Sequence, residues 1–257
     1  VFPLTHLHVA REVLSQLDEE IAVGSIFPDT IISMPLKWDE THLGFNGFFE
    51  CLKEEERTGN SGFLAGFMTH GVEPRGLDYY GDVAYGGNDA GYSFQKSAFL
   101  VPAVSDCLGV DEETARWKAH NFVEMGAEML ISKENPDLGQ ALASGLGDMK
   151  LIRRISGLLS RFYGLKREVI EGAFGKFRDF IEPRLAGPEE LAAKYLLQLG
   201  HRHGLGGLDL KRMAGLICEG EKLVRDDLYG FLAEIIPEIR EEIRIRLKKY
   251  LPSRVCL

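Results

Sequence analysis

Several absences narrow the possibilities. Four cysteines, Cys51, Cys107, Cys218 and Cys256, are scattered over 257 residues with no CxxC pair. That spacing excludes a structural zinc knot and speaks against a disulfide framework. Isolated thiols behaving as small hydrophobes in a reducing compartment are expected instead. No apolar run approaches the ~20 residues needed to cross a bilayer. Val1-Phe2-Pro3-Leu4 is too short to be a signal peptide, so a cytoplasmic protein is expected, secretion requiring that a leader has been removed. Positive charge is also scarce. Thirty Lys and Arg against 39 Asp and Glu leave a formal net charge of −9, and an acidic surface repels phosphate backbones, which disfavours general nucleic-acid binding. There is no internal repeat, no Pro- or Ser-rich linker, and little strand-like alternation outside residues 79–93.

What is present is helical periodicity over an ordinary globular composition, 45% hydrophobic and 27% charged, so a chain of this length can bury its own core. The expected fold is all-α, a multi-helix bundle forming one domain over residues 1–257. Thr5 is placed to cap a first helix running to about Ala22 and ending near Gly24. A helical turn is expected at Asp29–Met34, a long helix over Asp39–Arg57, and another after Asn60 or Ser61 whose apolar face carries Phe63, Gly66, Phe67 and His70. Residues 73–93 read as a long Gly/Tyr/Asp loop holding Tyr79, Tyr80, Tyr85 and Tyr92. Loops of this kind are more often binding elements than spacers, although a structural loop packed on the helices fits the same residues. Helices are then expected at 94–108, 111–132, 136–145, 148–163, 165–183, 188–200 and 208–250, with Pro237 bending or breaking the last. The basic end of that helix, Ile235 to Leu251 with Arg240, Arg244, Arg246, Lys248 and Lys249, reads as a solvated face rather than a membrane anchor.

Five of the seven histidines, His6, His8, His42, His70 and His120, precede residue 121. His120, Glu124 and Glu128 follow one another at four-residue intervals, so on a helix they share a face, and an imidazole and a carboxylate so placed can hold one cation. Each residue alone has an ordinary alternative: a surface hydrogen bond for His120 and Glu124, a core histidine bonded to a carbonyl for His70, an N-cap for Asp29. His6 and His8 are two apart, so a regular helix sends only one of them to a common site.

In combination, the order of these segments resembles the zinc-dependent phospholipases C and the related zinc-dependent single-strand nucleases. The resemblance rests on an N-terminal histidine (Thr5-His6-Leu7-His8), a Pro-Asp segment (Pro28-Asp29), a Thr-His-x-Gly segment (Thr41-His42-Leu43-Gly44), a helix ending in histidine (Phe63 to His70), and His-x-x-x-Glu (His120 to Glu124). It covers residues 5–130. It implies an all-helical phospholipase C/nuclease-like bundle holding one to three zinc ions. Asp29, His42 and His70 would ligate one, His120 and Glu124 a second, and His6 or His8 a third, which in secreted members also uses the chain's own N-terminus. The sequence departs from the family after His70, where a bridging Asp and a further His are usual. Pro74 stands at the Asp position, and Glu73 or Asp78 is the nearest substitute, Asp78 being favoured because Pro74 takes Glu73 out of helical register. The implied reaction is hydrolysis of a phosphate ester, with phospholipid among the candidate substrates and Asp29 also assisting proton transfer. The competing reading is a metal-binding or scaffold module without turnover. No metal ligand is expected beyond residue 150, where His201 and His203 flank a turn.

Overall fold

The computed structural model describes residues 2–184 and 187–250, excepting the side chains of Lys249 and Tyr250. Helix α1 (Pro3–Leu14) opens on proline, which suits a first turn because its missing N–H has no partner there anyway. Phe2, not Thr5, is its N-cap. The long first helix expected to Ala22 is cut in two. Ser15 takes a left-handed conformation (φ 56°), and Asp18 then starts α2 (Glu19–Ile26) by accepting a hydrogen bond from the Ile21 N–H at 2.8 Å. A 3-10 turn, Phe27–Ile32, follows and carries Asp29; its N-cap is Ile26, so Asp29 is not a cap.

The helix expected over Asp39–Arg57 is three short ones: α3 (Trp38–His42), α4 (Phe45–Cys51) and α5 (Glu54–Gly59). Local chemistry makes the breaks. A Cβ on Gly44 would stand 2.1 Å from the Glu40 carbonyl oxygen, and the Lys53 N–H restarts the chain by donating to Glu56 at 3.0 Å. Helix α6 (Ser61–His70) is as expected. The 79–93 stretch forms a π-helical turn (Tyr79–Val83) and an isolated bridge between Tyr85 and Asn88, and no strand occurs among the described residues.

The remaining helices are α7 (Tyr92–Ser97), α8 (Val101–Leu108), α9 (Glu112–Glu134), α10 (Leu138–Gly147), α11 (Met149–Tyr163), α12 (Arg167–Phe180), α13 (Pro188–His203), α14 (Leu210–Val224) and α15 (Leu228–Tyr250). A 3-10 turn, Ala98–Leu100, separates α7 from α8, so 94–108 is not one helix. Asp111, Asp148 and Asp209 cap α9, α11 and α14 through their side chains. The helix expected over 208–250 is also two, α14 and α15, and Pro237 lies inside α15 without ending it. Among the described residues no helix is long and apolar enough to cross a membrane.

Of the basic groups on α15, Arg244 pairs with Glu241, and Arg246 with Glu242 and Asn46. Arg240 donates to the Val13 carbonyl. These are bonds to the chain's own groups; Leu251 and the Lys249 side chain lie outside the described residues, as does Cys256. Among the described thiols, Cys107 is buried, Cys218 half-buried and Cys51 exposed.

The buried apolar residues form one continuous cluster from Phe2 to Ile243. Within it, α2 lies against α6 at a glycine-mediated crossing. A Cβ on Gly24 would sit 2.1 Å from the Phe63 carbonyl oxygen, and one on Gly66 would sit 2.2 Å from that of Ile21. Gly24 therefore serves packing rather than helix termination. The crossing matters to the candidate site because α2 leads directly to Asp29 and α6 ends in His70. Gly66→Ala, which must separate two backbones, is expected to destabilise the fold by about 1–3 kcal/mol. Urea unfolding reads this, and an unchanged midpoint would show the crossing to be loose.

Candidate metal centre

His6 comes from the second turn of α1, Asp29 from the 3-10 turn, His42 and His70 from the last residues of α3 and α6, and Asp78 from just before the π-helical turn. Asp78 sits at the centre of this group. One carboxylate oxygen is 3.3 Å from His42 Nε2 and 3.2 Å from His70 Nε2, and the other is 3.6 Å from His6 Nε2. Asp29 Oδ1 lies 3.9 Å from His42 Nε2, and its Oδ2 4.0 Å from His6 Nε2. The rings of His6 and His70 stack with centroids 3.8 Å apart. Ligand atoms sharing one zinc, each about 2 Å from it, stand roughly 3–3.5 Å from one another, so the groups around Asp78 are spaced closely enough that they could hold a metal ion.

The outward nitrogens are fixed as well. His70 Nδ1 is 2.6 Å from the Ser25 carbonyl oxygen, and His42 Nδ1 is 3.0 Å from that of Trp38. A carbonyl only accepts, so Nδ1 carries the proton in both rings and each Nε2 presents a lone pair when neutral. Metal-binding histidines are held this way. Trp38 also stacks on His42 at 4.5 Å. His70 Nε2 is buried without a hydrogen-bond partner, so a lone pair there faces an acidic oxygen at 3.2 Å, a repulsive contact unless a positive charge lies between.

In the metal-free chain a proton relieves only part of this. Burial acts to lower the His70 pKa, but Asp78 outweighs it and the net direction is upward. The same partnership holds Asp78 below the usual carboxylate range despite its burial. His6 and His42 are different: burial, joined by the His70 charge, takes them down to about 3 and about 4. One proton therefore cannot serve three imidazoles and two carboxylates, whereas a divalent cation can. Burial also works to raise Asp29, but the surrounding positive charge, His70 and His6 included, outweighs it, and the net direction is downward.

A second group, Asp82, His120 and Glu124, offers ligand atoms within 4.8 Å of one another. His120 and Glu124 share a face of α9, and Asp82 reaches them from the π-helical turn. Two carboxylates so close cannot both ionise readily. Burial, then the neighbouring Asp78 and Asp29, raise Glu124 to about 8, and burial followed by Glu124 raises Asp82 as well. His120 is driven down to about 3 by burial, and its Nδ1 is buried without a partner. Both groups open on one cavity of about 590 Å³.

These shifts set the stability of the metal-free protein. Unfolded histidines take up protons below about 6.5, whereas folded His6, His42 and His120 resist until about 3 to 4. The unfolded state then binds more protons, and stability falls as pH drops through that window. Glu124 acts oppositely, keeping its proton when folded up to about 8 and losing it near 4.3 when unfolded, so stability falls as pH rises toward 8. Glu128, raised to about 7 by burial, and Asp82, also raised, act with Glu124 and offset the three histidines below 6.5, so the urea midpoint in excess chelator should change little from pH 5 to 6.5 and fall from 6.5 to 8. A midpoint rising from 6.5 to 8 would show that Glu124 ionises in place.

Of the residues singled out in the sequence, His6, Asp29, His42, Asp78, His120 and Glu124 line the cavity, and His70 lies fully buried behind them against Asp78. His8 does not reach the cavity. It points to the far side of α1, where its ring meets Tyr229 edge-on and its Nδ1 lies 3.5 Å from Arg11, because residues two apart on a helix face nearly opposite ways. Glu73, the alternative bridge, instead accepts from the Asn46 amide at 2.9 Å on an exposed surface. Glu128, third in the His120 row, ends the row as a cap: its carboxylate accepts from the Leu4 and Thr5 N–H groups at 2.7 and 2.9 Å and so orients the start of α1, two residues before His6. The implied N-terminal ligand, Val1, lies outside the described residues. Sequence reasoning missed Asp82. Its i, i+4 relation to Asp78 was the available signal, obscured by surrounding glycines and tyrosines that suggested an irregular loop. Three of those tyrosines tie the segment down: Tyr80, Tyr85 and Tyr92 donate to Glu238, Glu234 and Asp227 at 2.8, 2.6 and 2.7 Å.

No protein-family model, curated protein or solved structure matches the chain. The functional reading therefore stands on the residues and their geometry.

Proposed function

We propose that this cavity is the centre of a zinc-dependent hydrolase of phosphate esters, a phosphodiesterase of phospholipase C-like type. The observation that carries the reading is the convergence of His6, His42 and His70 on Asp78, with the Nδ1 atoms of His42 and His70 tied to backbone carbonyls so that their free nitrogens face acidic oxygens. Three ligand groups could hold metal ions: His6, His70 and Asp78; Asp29, His42 and His70, which shares His70 with the first; and Asp82, His120 and Glu124. Metal ions held there would activate water near neutral pH and balance charge on a phosphoryl group.

The protein's own groups have separable tasks. Asp78 holds three imidazoles in register. Asp29 stands farther from its histidines, at 3.9 and 4.0 Å, and its ionised oxygens are placed to accept a proton from attacking water. Asp78 and Asp82 occupy the stretch after His70 where the resembled family has a bridging Asp and a further His. The competing reading, a scaffold without turnover, rests on the missing bridge, and the place of Asp78 among three imidazoles favours the enzyme over it.

The test is elemental analysis of protein purified without chelator, together with hydrolysis of bis(p-nitrophenyl) phosphate. Bound zinc with turnover that a chelator abolishes supports the proposal. Zinc without turnover overturns the enzyme, and absence of any bound transition metal overturns the site.

A further inference from the structure

The wall of the same cavity carries two cations, Lys118 and Arg202, that make no ion pair among the described residues. Every other charged residue lining the cavity is acidic or belongs to the histidine clusters. On a chain of net charge −9, with 39 acidic side chains available, two neighbouring like charges left without a carboxylate repel each other, Arg202 being the exposed member of the pair. Lys118 is half-buried. Its ammonium is held in place by a neutral acceptor, His203 Nε2 at 2.8 Å, rather than by an acid. Lys118 lies on α9, two residues before His120, while Arg202 and His203 close α13, so two helices from different halves of the chain bring the basic corner to the cavity. Beside it the wall is aromatic and apolar: Phe94 and Trp117 meet edge-on at 5.3 Å, and Leu228 and Phe231 come from α15.

We infer that Lys118 and Arg202 form a subsite for a second anionic group on the ligand, so that the cavity takes organic phosphate esters with an apolar body and a further negative charge rather than neutral or cationic head groups. The inference rests on the reading of the cavity as a phosphate-ester site and names its substrate class. The phosphoryl group goes to the histidine–carboxylate clusters, the apolar body lies along Phe94 and Trp117, and the second anion meets Lys118 and Arg202. Arg202 offers a planar donor fork suited to carboxylate or phosphate, and Lys118 a point charge whose position His203 sets.

The test compares two hydrolysis-resistant probes that differ by one charge, phenylphosphonate and 4-carboxyphenylphosphonate. Binding is followed by tryptophan fluorescence, since Trp38 and Trp117, the only tryptophans, both line the cavity. The full-length metal-loaded protein should bind the carboxylated probe at least about tenfold more tightly, and raising the salt concentration should shrink the ratio. In Lys118→Gln/Arg202→Gln the ratio should fall below about twofold, whereas Lys118→Arg, which keeps the charge, should retain most of it. Because the readout is a ratio within one protein, a general loss of folded material does not mimic the effect. A wild-type ratio near one, or a ratio unchanged in the double variant, overturns the subsite while phenylphosphonate binding leaves the phosphate reading intact. Failure of both probes to bind overturns the phosphate reading and the subsite with it.

Discussion

Asp78→Asn should strip at least one equivalent of tightly bound metal from the protein and lower phosphodiester hydrolysis by roughly 1,000-fold, the equivalent of several kcal/mol of charge stabilisation. The effect is large because this one carboxylate lies 3.2–3.6 Å from three separate imidazoles. The amide keeps the shape but presents one neutral oxygen and two donors where two anionic oxygens stood. Adjacent cations repel unless an anion screens them, so the occupancy of the Asp82 group should fall as well. Glu73→Gln is the matched control: Glu73 faces Asn46 at the surface and should leave metal content and rate unchanged. Elemental analysis and initial rates on the three proteins decide it. Full metal content in Asp78→Asn, or metal loss in Glu73→Gln, would place the bridge elsewhere.

Removing the metal should lower the melting temperature by about 8–16 °C. A ligand present at a thousand times its dissociation constant stabilises the folded state by about 4 kcal/mol, and each kcal/mol moves the midpoint by ~2–4 °C in a domain of this size. The direction follows from what remains. Without a cation, Asp29, Asp78, Asp82 and Glu124 line one cavity with only protons to separate their charges. The shift should also depend on pH. Glu124 without metal keeps its proton up to about 8, so a metal entering below that pH must displace it, and affinity rises as pH approaches 8. Calorimetric scans with and without chelator at pH 6 and pH 8 should show the larger difference at pH 8. Equal melting temperatures at both pH values would mean that no bound metal contributes to folding.

Much of the architecture can be read locally. The helical class, the caps at Asp111, Asp148 and Asp209, the end of α6 at His70 and the alignment of His120 with Glu124 all follow from 3.6-residue periodicity and side-chain bonds to nearby backbone. The helix breaks at Ser15, Gly44 and Arg225–Asp227 did not stand out, because competing local conformations there differ little in energy and packing decides between them.

The site divides along the same line. Which residue types could hold a cation, and that His6 and His8 could not both face one point, are properties of sequence spacing alone. That His6 is the one turned inward, that Asp78 rather than Glu73 sits among the imidazoles, and that Asp82 joins His120 and Glu124 were decided by tertiary structure. The physical reason is distance along the chain. The path from Asp78 to Tyr92 is set by tyrosine bonds to Asp227, Glu234 and Glu238, about 135 to 158 residues away, and the start of α1 is set by Glu128, 124 residues from Leu4. Local preferences choose helices and their ends, but a carboxylate's reach toward a cavity depends on the partners that hold its backbone, and those partners come together only when the whole core has closed.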